Sequence, residues 1–412
     1  MNEVKFGVIG GVDAGKSSLI GVLSYDILDD GRGLARNKVL KLPHEKECGR
    51  TSSVSKHFVK KTNEERFTTF LDLAGHEKYL KTTLYGLSGF FLDYAIIIVG
   101  ANMGVTKMTK EHLGIILPLR IPFIVVVTKI DIAPPDILKK TLEDIQYIIR
   151  KKRSPQRETR LMNTSDDINE MLEVFNEKKY KICPIFQVSN TQGTNLNLLK
   201  SFVFPLPSRF EEQFERLKIA NPSCIDKNVF KIHEKFNVKG VGLVVSGFTK
   251  YGQIKPGIKM YLGPIYGDWK EVIVKSIHNN FRELVPQLNT GESGCLSIKF
   301  TDKKFKVPKK SIRKGAVVTD HPQLSNKFQS DVYILSSQYT TIRKNYQPVM
   351  NCNTIVQGAK IYDLEKETIR GGEKVWVKFE FMYRPEYIEI GDLFIFREGN
   401  IKGFGKVTQI IE

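Results

Sequence analysis

Hydrophobic and polar positions in the first half of the chain alternate between two patterns. Short apolar runs such as AIIIVG and FIVVVT are separated by longer segments with helical periodicity. Apolar runs of this kind form parallel strands that are covered on both faces. Residues 1–205 are therefore predicted to form an α/β domain with a mostly parallel, doubly wound sheet. The predicted strands are 4–10, 67–73, 94–99, 123–128 and 185–189, and the predicted helices are 16–28, 77–87, 110–119, 136–151 and 195–202.

A charged segment interrupts this alternation between about residues 150 and 181. It reads KKRSPQRETR, then MNTSDDINE, then NEKKY. We interpret it as an insertion that forms a solvated surface excursion with a partial helix.

The pattern changes again near residue 224. Helical periodicity disappears, and short strand-like runs are separated by Gly and Pro, as in VKGVGLVVSGFTKYGQIKPG. This is typical of small antiparallel barrels. The sequence predicts two antiparallel β-barrel domains at residues 224–322 and 323–412, with residues 206–223 as the linker that precedes them.

Composition restricts the class of protein. The chain has 412 residues, of which 41% are hydrophobic and 26% charged, as in a folded protein of two or three domains. No apolar run approaches the roughly 18 residues of a membrane span. The start, MNEVKFGVIGG, lacks the features of a signal peptide, and the five cysteines include no CxxC pair. We therefore expect a cytoplasmic protein with no membrane partner and no zinc.

The net charge has two interpretations. The chain carries 63 Lys and Arg against 45 Asp and Glu, a formal charge of +18. This excess can be a solubility surface or a consequence of lysine-rich codon usage. It can also be the electrostatic footprint of a polyanion partner, with RNA ahead of a membrane because no basic amphipathic helix stands out.

A glycine-rich motif follows the first predicted strand and opens the first predicted helix. It matches G-x-x-x-x-G-K-[ST], whose backbone N–H groups converge on phosphate oxygens at a helix N-terminus. Lys16 is expected to contact the β- and γ-phosphates, and the Ser17 hydroxyl to bind Mg²⁺. The predicted phosphate-binding residues are Gly10, Gly11, Val12, Asp13, Ala14, Gly15, Lys16, Ser17 and Ser18.

Three further motifs stand at strand ends, where ligands bind in open α/β sheets. Asp72 can face Mg²⁺, and Gly75 can offer its backbone N–H to a γ-phosphate. Guanine presents two N–H donors that one carboxylate can accept, which favours Asp131 as the base-selecting residue. Its neighbours in the predicted base pocket are Thr128, Lys129, Ser189 and Asn190.

Together these motifs resemble the translational GTPases, the superfamily of elongation factor Tu and eukaryotic elongation factor 1-alpha. VDAGKSS, HEKECGRTSSVS, DLAGHEKYLKTTLYGLSG, VTKID, PIFQVSN and GVGLVVSG resemble the GTP-binding protein 1/2 subfamily in particular, over practically the whole chain. The resemblance implies a P-loop GTPase domain followed by two β-barrels, with GTP, GDP and Mg²⁺ as ligands. It also implies that Thr51 is a Mg²⁺ ligand, together with Ser17 and Asp72, and a contact of the γ-phosphate. His76 is implied to position the attacking water.

Two positions depart from the superfamily pattern. Arg50 replaces an isoleucine that, with the valine matching Val12, forms an apolar gate restraining the histidine. Thr128 replaces the usual Asn of N-K-x-D. We therefore expect the contacts that the Asn side-chain amide makes, to the loop and to the base, to be lost. Asp131 is expected to preserve the selectivity for guanine.

Other polar residues have more ordinary interpretations. Six scattered histidines are expected to be surface residues or satisfied by neighbours: His44, His57, His112, His233, His278 and His321. A basic cluster in the barrel region can be a solvated loop or a contact for RNA phosphates. It comprises Lys303, Lys304, Lys306, Lys309, Lys310, Arg313 and Lys314.

The resemblance predicts a GTP-hydrolysing switch, a monomer that acts with tRNA or the ribosome. No arginine finger is identifiable, so a slow intrinsic rate and an external activator are expected. Two alternatives stay open. One is a GTP-regulated scaffold that binds protein partners in RNA decay or ribosome quality control. The other is a ribosome-rescue or release-type GTPase.

Overall fold

The structure is a computed structural model, and the chain in it divides into two compact units. It describes residues 3–40, 42–48, 51, 53–60, 66–151, 156, 158–177, 180–302, 311–313, 315–335, 341–398 and 400–411. One unit comprises Asn2–Leu87 with Phe91–Arg209, and the other comprises Phe210–Glu412 with Ser88–Phe90.

A sheet of seven strands forms the centre of the first unit. Its order is β2-β3-β1-β4-β5-β7-β6, and every pairing is parallel except that of β2 with β3. The predicted α/β fold is confirmed. The strands are β1 (Glu3–Gly10), β2 (Ser55–Lys60), β3 (Phe67–Asp72), β4 (Tyr94–Gly100), β5 (Phe123–Thr128), β6 (Glu158–Leu161) and β7 (Ile182–Gln187).

Helices connect these strands and cover the sheet. The seventeen-residue α6 shows how the sequence pattern works: Thr141, Ile145 and Ile149 recur every four residues and are buried. The helices are α1 (Lys16–Tyr25), α2 (Leu34–Val39), α3 (Pro43–Cys48), α4 (Leu80–Gly89), α5 (Lys107–Ile116), α6 (Pro135–Lys151), α7 (Ser165–Asn176) and α8 (Leu196–Val203), with a 3₁₀ turn at Glu77–Tyr79.

The charged segment contains the predicted partial helix, but its described part is not a solvated surface excursion. Glu158–Leu161 form β6, the edge strand of the sheet, and Ser165–Asn176 form α7. Ile168, Met171 and Phe175 of α7 are buried in the core of this unit. Arg160 on β6 pairs with Asp167 and Glu170 at 3.2 and 2.6 Å. The charges thus occupy one face while apolar residues at helical spacing reach the core.

The first barrel of the second unit is closed, with strand order β11-β12-β14-β9-β8-β15. Alternate residues such as Phe230, Ile232 and Val245 point into its core. Its strands are β8 (Val229–Val238), β9 (Gly242–Tyr251), β11 (Lys259–Ile265), β12 (Asp268–His278), β14 (Ser293–Phe300) and β15 (Val317–Thr319), with the short pair β10 (Gln253–Ile254) and β13 (Leu288–Asn289).

The second barrel is also closed, in the order β16-β21-β19-β18-β22-β23. Phe328, Phe379 and Phe394 fill its interior. Both predicted barrels are confirmed. The strands are β16 (Lys327–Ile334), β18 (Val349–Cys352), β19 (Ile355–Leu364), β21 (Lys374–Phe381), β22 (Leu393–Glu398) and β23 (Asn400–Ile411), with the short pair β17 (Ile342–Arg343) and β20 (Thr368–Ile369).

A helix, α9 (Phe210–Ala220), lies in the stretch where a linker is predicted, and a 3₁₀ turn at Pro222–Cys224 follows it. Phe214 and Leu217 pack against a small apolar cluster that contains Tyr251 of the first barrel and Tyr387 of the second. Among the described residues, no helix is long and apolar enough to cross a membrane.

Candidate nucleotide site

The glycine-rich motif forms a tight loop between β1 and α1. Gly15 has a φ of 87° and stands at the N-cap of α1, a conformation that glycine adopts without strain. A Cβ on Gly10 would collide with the carbonyl oxygen of Ile98. The loop therefore needs glycine at positions 10 and 15, and its backbone leads directly into a helix N-terminus, where anions bind. Ser18 lies in the first turn of that helix.

Lys16 is the first residue of α1, and its side chain lies against the backbone of this loop. Its side chain is buried, with 7% exposure, and its Nζ donates to the carbonyl oxygen of Gly11 at 2.7 Å. Burial lowers the pKa of Lys16, while the carboxylates of Asp72 and Asp13 oppose that shift. A phosphate beside this ammonium would favour its charged form.

Gly75 lies directly against the loop. A Cβ at this position would meet Lys16 Nζ and would lie 2.6 and 2.9 Å from the carbonyl oxygens of Gly10 and Gly11. Only glycine fits so close an approach. Its backbone is therefore beside the phosphate loop, as expected of a residue that responds to a γ-phosphate.

Three side chains from different parts of the chain meet beside Lys16. Ser17 Oγ donates to Asp72 Oδ2 at 2.7 Å, and Thr51 Oγ1 donates to the same oxygen at 2.8 Å. The two hydroxyls are 3.1 Å apart. Asp72 is fully buried, and burial raises its pKa against the opposing charge of Lys16.

These donors suit Mg²⁺, which prefers hard oxygen ligands. Asp72 Oδ1 is buried and has no hydrogen-bond partner, so one carboxylate oxygen is available to a cation. The described residues hold no group of three or more His, Cys, Asp or Glu that could bind a metal ion. A cation at this site would be held by two hydroxyls and one carboxylate instead.

The end of β5 braces the phosphate loop. Thr128 is buried, and its hydroxyl donates to the carbonyl oxygen of Ala14 at 2.6 Å. A threonine hydroxyl at this point thus braces the loop backbone, contrary to the expected loss of bracing. The expected loss of base contact stays a prediction. Lys129, which follows, has a φ of 61°.

The predicted base-contacting residues converge at the ends of β5 and β7. Asp131 Oδ2 accepts a hydrogen bond from Thr191 Oγ1 at 3.1 Å, and that hydroxyl is 3.0 Å from Ser189 Oγ. Asn190 is 8% exposed, and its Oδ1 has no partner. Two strand-end motifs that are separated in sequence thus form one polar cluster.

The described contacts of His76 are with Lys78 and Tyr79, and they include no residue of the phosphate loop or of the Ser17, Thr51 and Asp72 cluster. It is exposed at the start of the 3₁₀ turn, and its Nδ1 accepts the backbone N–H of Lys78 at 3.0 Å. Its ring packs edge-on against the ring of Tyr79, with 6.1 Å between the two ring centroids. Val12 is half-buried and Asp13 is exposed with a φ of 58°. Arg50 lies outside the described residues.

One histidine contradicts the ordinary interpretation. His112 on α5 is fully buried, and neither ring nitrogen has a hydrogen-bond partner. Burial, reinforced by the charge of Lys16, lowers its pKa to about 3. By contrast, His57 meets Ser55 Oγ at 2.8 Å. Of the basic cluster in the barrel region, only Arg313 is described, and it pairs with Glu386 at 2.5 Å.

Sequence reasoning missed two residues of this region. Thr191 contacts Asp131, and its only sequence signal is that it follows Ser189 and Asn190. Glu45 is 1% exposed and accepts hydrogen bonds from Ser53. A charged residue in the charge-rich HEKEC segment gives no sign of burial.

A mostly parallel sheet whose first loop surrounds a buried lysine, followed by two closed barrels, defines a P-loop GTPase of the translational type. The family model described as the Elongation factor Tu GTP binding domain matches residues 1–209. The chain belongs to this family.

Two relatives resemble the chain over nearly its whole length. GTP-binding protein 1 of Xenopus laevis is 37% identical over 100% of this chain and 64% of its own length. GTP-binding protein 2 of Homo sapiens is 32% identical over 99% of this chain and 69% of its own. The chain thus spans about two thirds of the length of these relatives.

Solved structures share the fold. Translation elongation factor SelB from Methanococcus maripaludis, in complex with the GTP analogue GPPNHP, has a TM-score of 0.73 at 20% identity, over 100% of this chain and 80% of that one. The Saccharomyces cerevisiae Ski7 GTPase-like domain bound to GTP has a TM-score of 0.71 at 16% identity, over 98% and 97%.

Proposed function

We propose that this protein is a Mg²⁺-dependent, GTP-hydrolysing switch that acts with tRNA or the ribosome as a cytoplasmic monomer. The observation that carries the proposal is the convergence of Ser17, Thr51 and Asp72 within 2.7–3.1 Å of one another beside the phosphate loop. These residues would hold Mg²⁺, and Gly10–Ser18 would hold the phosphates.

The reaction transfers the γ-phosphoryl group of GTP to water. The water oxygen forms a bond to the γ-phosphorus, and the bond to the β–γ bridging oxygen breaks, giving GDP and inorganic phosphate. The buried Lys16 ammonium would offset charge on the phosphate oxygens, and the Gly75 backbone N–H would donate to the γ-phosphate. Ser17, Thr51 and Asp72 would hold Mg²⁺, which would supply further stabilisation of negative charge on the phosphates.

His76 is the proposed catalytic residue. It follows Gly75 and is exposed, so its ring can turn toward a water without disturbing a packed core. Because it holds no part of the ground-state nucleotide, its contribution falls mainly in the transition state. An activator that reorients the ring would then accelerate hydrolysis.

Guanine recognition is assigned to the cluster at the strand ends. Asp131 would accept the two N–H groups of guanine, with Lys129 along the ring and the backbone of Ser189 and Asn190 at the base oxygen. The hydrogen bond from Thr191 orients the Asp131 carboxylate. Thr128 supports the pocket through its bond to Ala14.

Two observations support tRNA or the ribosome as the partner. The chain carries a net charge of +18, which favours a polyanion. The fold also matches that of a translation elongation factor over the whole chain, including both barrels. Nucleic acid bound through this charge would dissociate as salt is raised.

The deciding experiment is single-turnover GTP hydrolysis with and without ribosomes, for wild type and His76→Ala. We expect ribosomes to accelerate the wild type, and the variant to lose most of that acceleration while its GTP affinity stays within a few-fold. Glu143→Ala, at an exposed position on α6, is the matched control. If ribosomes accelerate neither protein, the translational part of the proposal fails.

The alternative is a GTP-regulated scaffold that binds protein partners in RNA decay or ribosome quality control. The likeness to a GTPase-like domain bound to GTP, over 97% of that domain, supports keeping it. Binding of aminoacylated and deacylated tRNA to the GTP form over a salt series separates the two. A carrier prefers aminoacyl-tRNA, whereas a scaffold binds neither.

A further inference from the structure

Glu45 is a buried carboxylate that the proposed reaction does not use. It lies in α3 and is 1% exposed, whereas the neighbouring Lys46 is exposed. Glu45 Oε1 accepts two hydrogen bonds from Ser53, one from the backbone N–H at 3.3 Å and one from Oγ at 3.2 Å. Burying a carboxylate is costly unless such bonds compensate it, so this position is specific.

Thr51 lies between Glu45 and Ser53 in the sequence, the two residues that these hydrogen bonds connect. Its side chain is 7% exposed, and its hydroxyl contacts both Asp72 and Ser17. After Ser53 the chain enters β2, whose first residue, Ser55, pairs with Asp72 in the sheet. Glu45 therefore connects the segment before Thr51 to the segment that joins it to the sheet.

This connection restricts the freedom of Thr51. A hydroxyl on a loop contributes to a ligand site only if the loop keeps it there, and ordering that loop costs conformational entropy. The two bonds from Ser53 to Glu45 join positions 45 and 53, on either side of Thr51 in the sequence, and reduce that cost.

We propose that Glu45 is a positioning residue: by accepting both hydrogen bonds from Ser53, it holds Thr51 over Asp72 and so retains the triphosphate form of the nucleotide. This inference rests on the proposed role of Thr51 toward Mg²⁺ and the γ-phosphate. GDP lacks the γ-phosphate that Thr51 is proposed to contact, so its binding depends on this connection much less.

The test measures the dissociation rates of two fluorescent nucleotides, a non-hydrolysable GTP analogue and GDP, at fixed Mg²⁺ concentration. In Glu45→Ala we expect the analogue to dissociate about tenfold faster, the effect of losing a charge-assisted interaction. GDP dissociation should stay within about twofold, which also shows that the variant is folded. Glu143→Ala, an exposed carboxylate on α6, is the matched control and should change neither rate.

Three further variants make the test specific. Glu45→Gln keeps an oxygen that can accept from Ser53, so its analogue dissociation should lie nearer the wild type than that of Glu45→Ala. Ser53→Ala removes one of the two donors and should show a smaller effect in the same direction. The double variant Glu45→Ala with Ser53→Ala should match Glu45→Ala alone, because both changes break the same connection.

Thr51→Ala separates failure of this inference from failure of the proposed function. If Thr51→Ala leaves analogue dissociation unchanged, the proposed role of Thr51 is wrong, and the role of Glu45 falls with it. If Thr51→Ala accelerates dissociation but Glu45→Ala does not, only the inference about Glu45 is overturned. Equal acceleration of GDP and analogue by Glu45→Ala would also overturn it, since that is the result of a general packing defect.

Discussion

At the scale of single residues, burial makes the site favourable for a charged ligand. Burial displaces the pKa of Lys16 downward and that of Asp72 upward, so each shift favours the neutral form. A phosphate beside Lys16 and a divalent cation beside Asp72 would both favour the charged forms. Nucleotide and Mg²⁺ binding should therefore reinforce one another.

Asp131→Asn should exchange the base preference from guanine to xanthine. The carboxylate accepts two N–H groups of guanine, whereas an amide can donate to the carbonyl that xanthine carries instead of the 2-amino group. We expect GTP affinity to fall and XTP affinity to rise in filter binding. Asp136→Asn, at an exposed position at the start of α6, serves as control. Unchanged GTP binding in Asp131→Asn would show that the base binds elsewhere.

His112 should make the stability of the first unit depend on pH. Its pKa is about 3 in the folded protein and ordinarily about 6.5, so the unfolded chain binds the proton more strongly between these values. Stability is therefore lost as the pH falls below 6.5. Between pH 7 and pH 5 the loss from this group is about 2 kcal/mol.

The measurement compares urea unfolding of wild type and His112→Gln at both pH values. His112→Gln should lose less stability than wild type over this interval, by about 2 kcal/mol. Equal losses in the two proteins would contradict the prediction.

At the scale of elements, a buried ion cluster connects the two barrels. Lys250 of β9 donates to Glu389 and Asp392, which precede β22, at 2.7 and 2.8 Å, and all three are buried. Burial alone would lower the pKa of Lys250, but the two carboxylates outweigh it and hold the pKa well above its ordinary value. Lys231 is also buried, and its Nζ lies 4.6 Å from the centroid of the Tyr387 ring.

Lys250→Met should destabilise the pair of barrels strongly. It leaves two carboxylates buried without their cation, a change that costs about 3–5 kcal/mol in comparable sites. Lys259→Met is the matched control, because Lys259 is 69% exposed and its pairing with Glu271 spans 3.8 Å. That variant should stay within about 0.5 kcal/mol of wild type in denaturant unfolding. Similar stabilities for the two variants would refute the role of the cluster.

At the scale of the whole molecule, nucleotide binding and the barrels belong to different units. Each unit has its own apolar core, so each can unfold in its own transition. Ligand binding stabilises only the unit that binds it. Nucleotide binding should thus raise the unfolding temperature of the first unit, which contains Lys16, and leave that of the second unit unchanged.

Lys16→Ala should weaken nucleotide binding by at least about tenfold, since it removes a buried cation from the phosphates. With nucleotide in excess, its stabilisation of the first unit then falls by about 1.4 kcal/mol for each tenfold loss. Calorimetric titration and thermal unfolding measure the two effects. The barrel transition should not move, and Lys139→Ala on the exposed face of α6 should bind as wild type does. Unaltered affinity in Lys16→Ala would exclude this loop as the phosphate site.

Much of the fold was predictable because its signals are local. The alternation of buried strands and amphipathic helices predicted the α/β domain, and Gly and Pro between short strands predicted both barrels. The strands β2 and β6 escaped prediction, since each is a short, partly polar edge strand with little periodicity. Likewise, the charges of α7 concealed the three apolar residues that bury it in the core.

The sequence by itself determined the phosphate loop and the motifs at the strand ends, because each depends on a few consecutive residues whose backbone conformation is local. Only the tertiary structure decided which residues that are distant in the sequence meet one another. Thr128 reaches Ala14 across 114 residues, and Lys250 reaches Glu389 across 139. Glu45 likewise accepts hydrogen bonds from Ser53, on the other side of Thr51 in the sequence. Such contacts depend on packing and burial, and a charged residue in a polar stretch of sequence carries no sign of either.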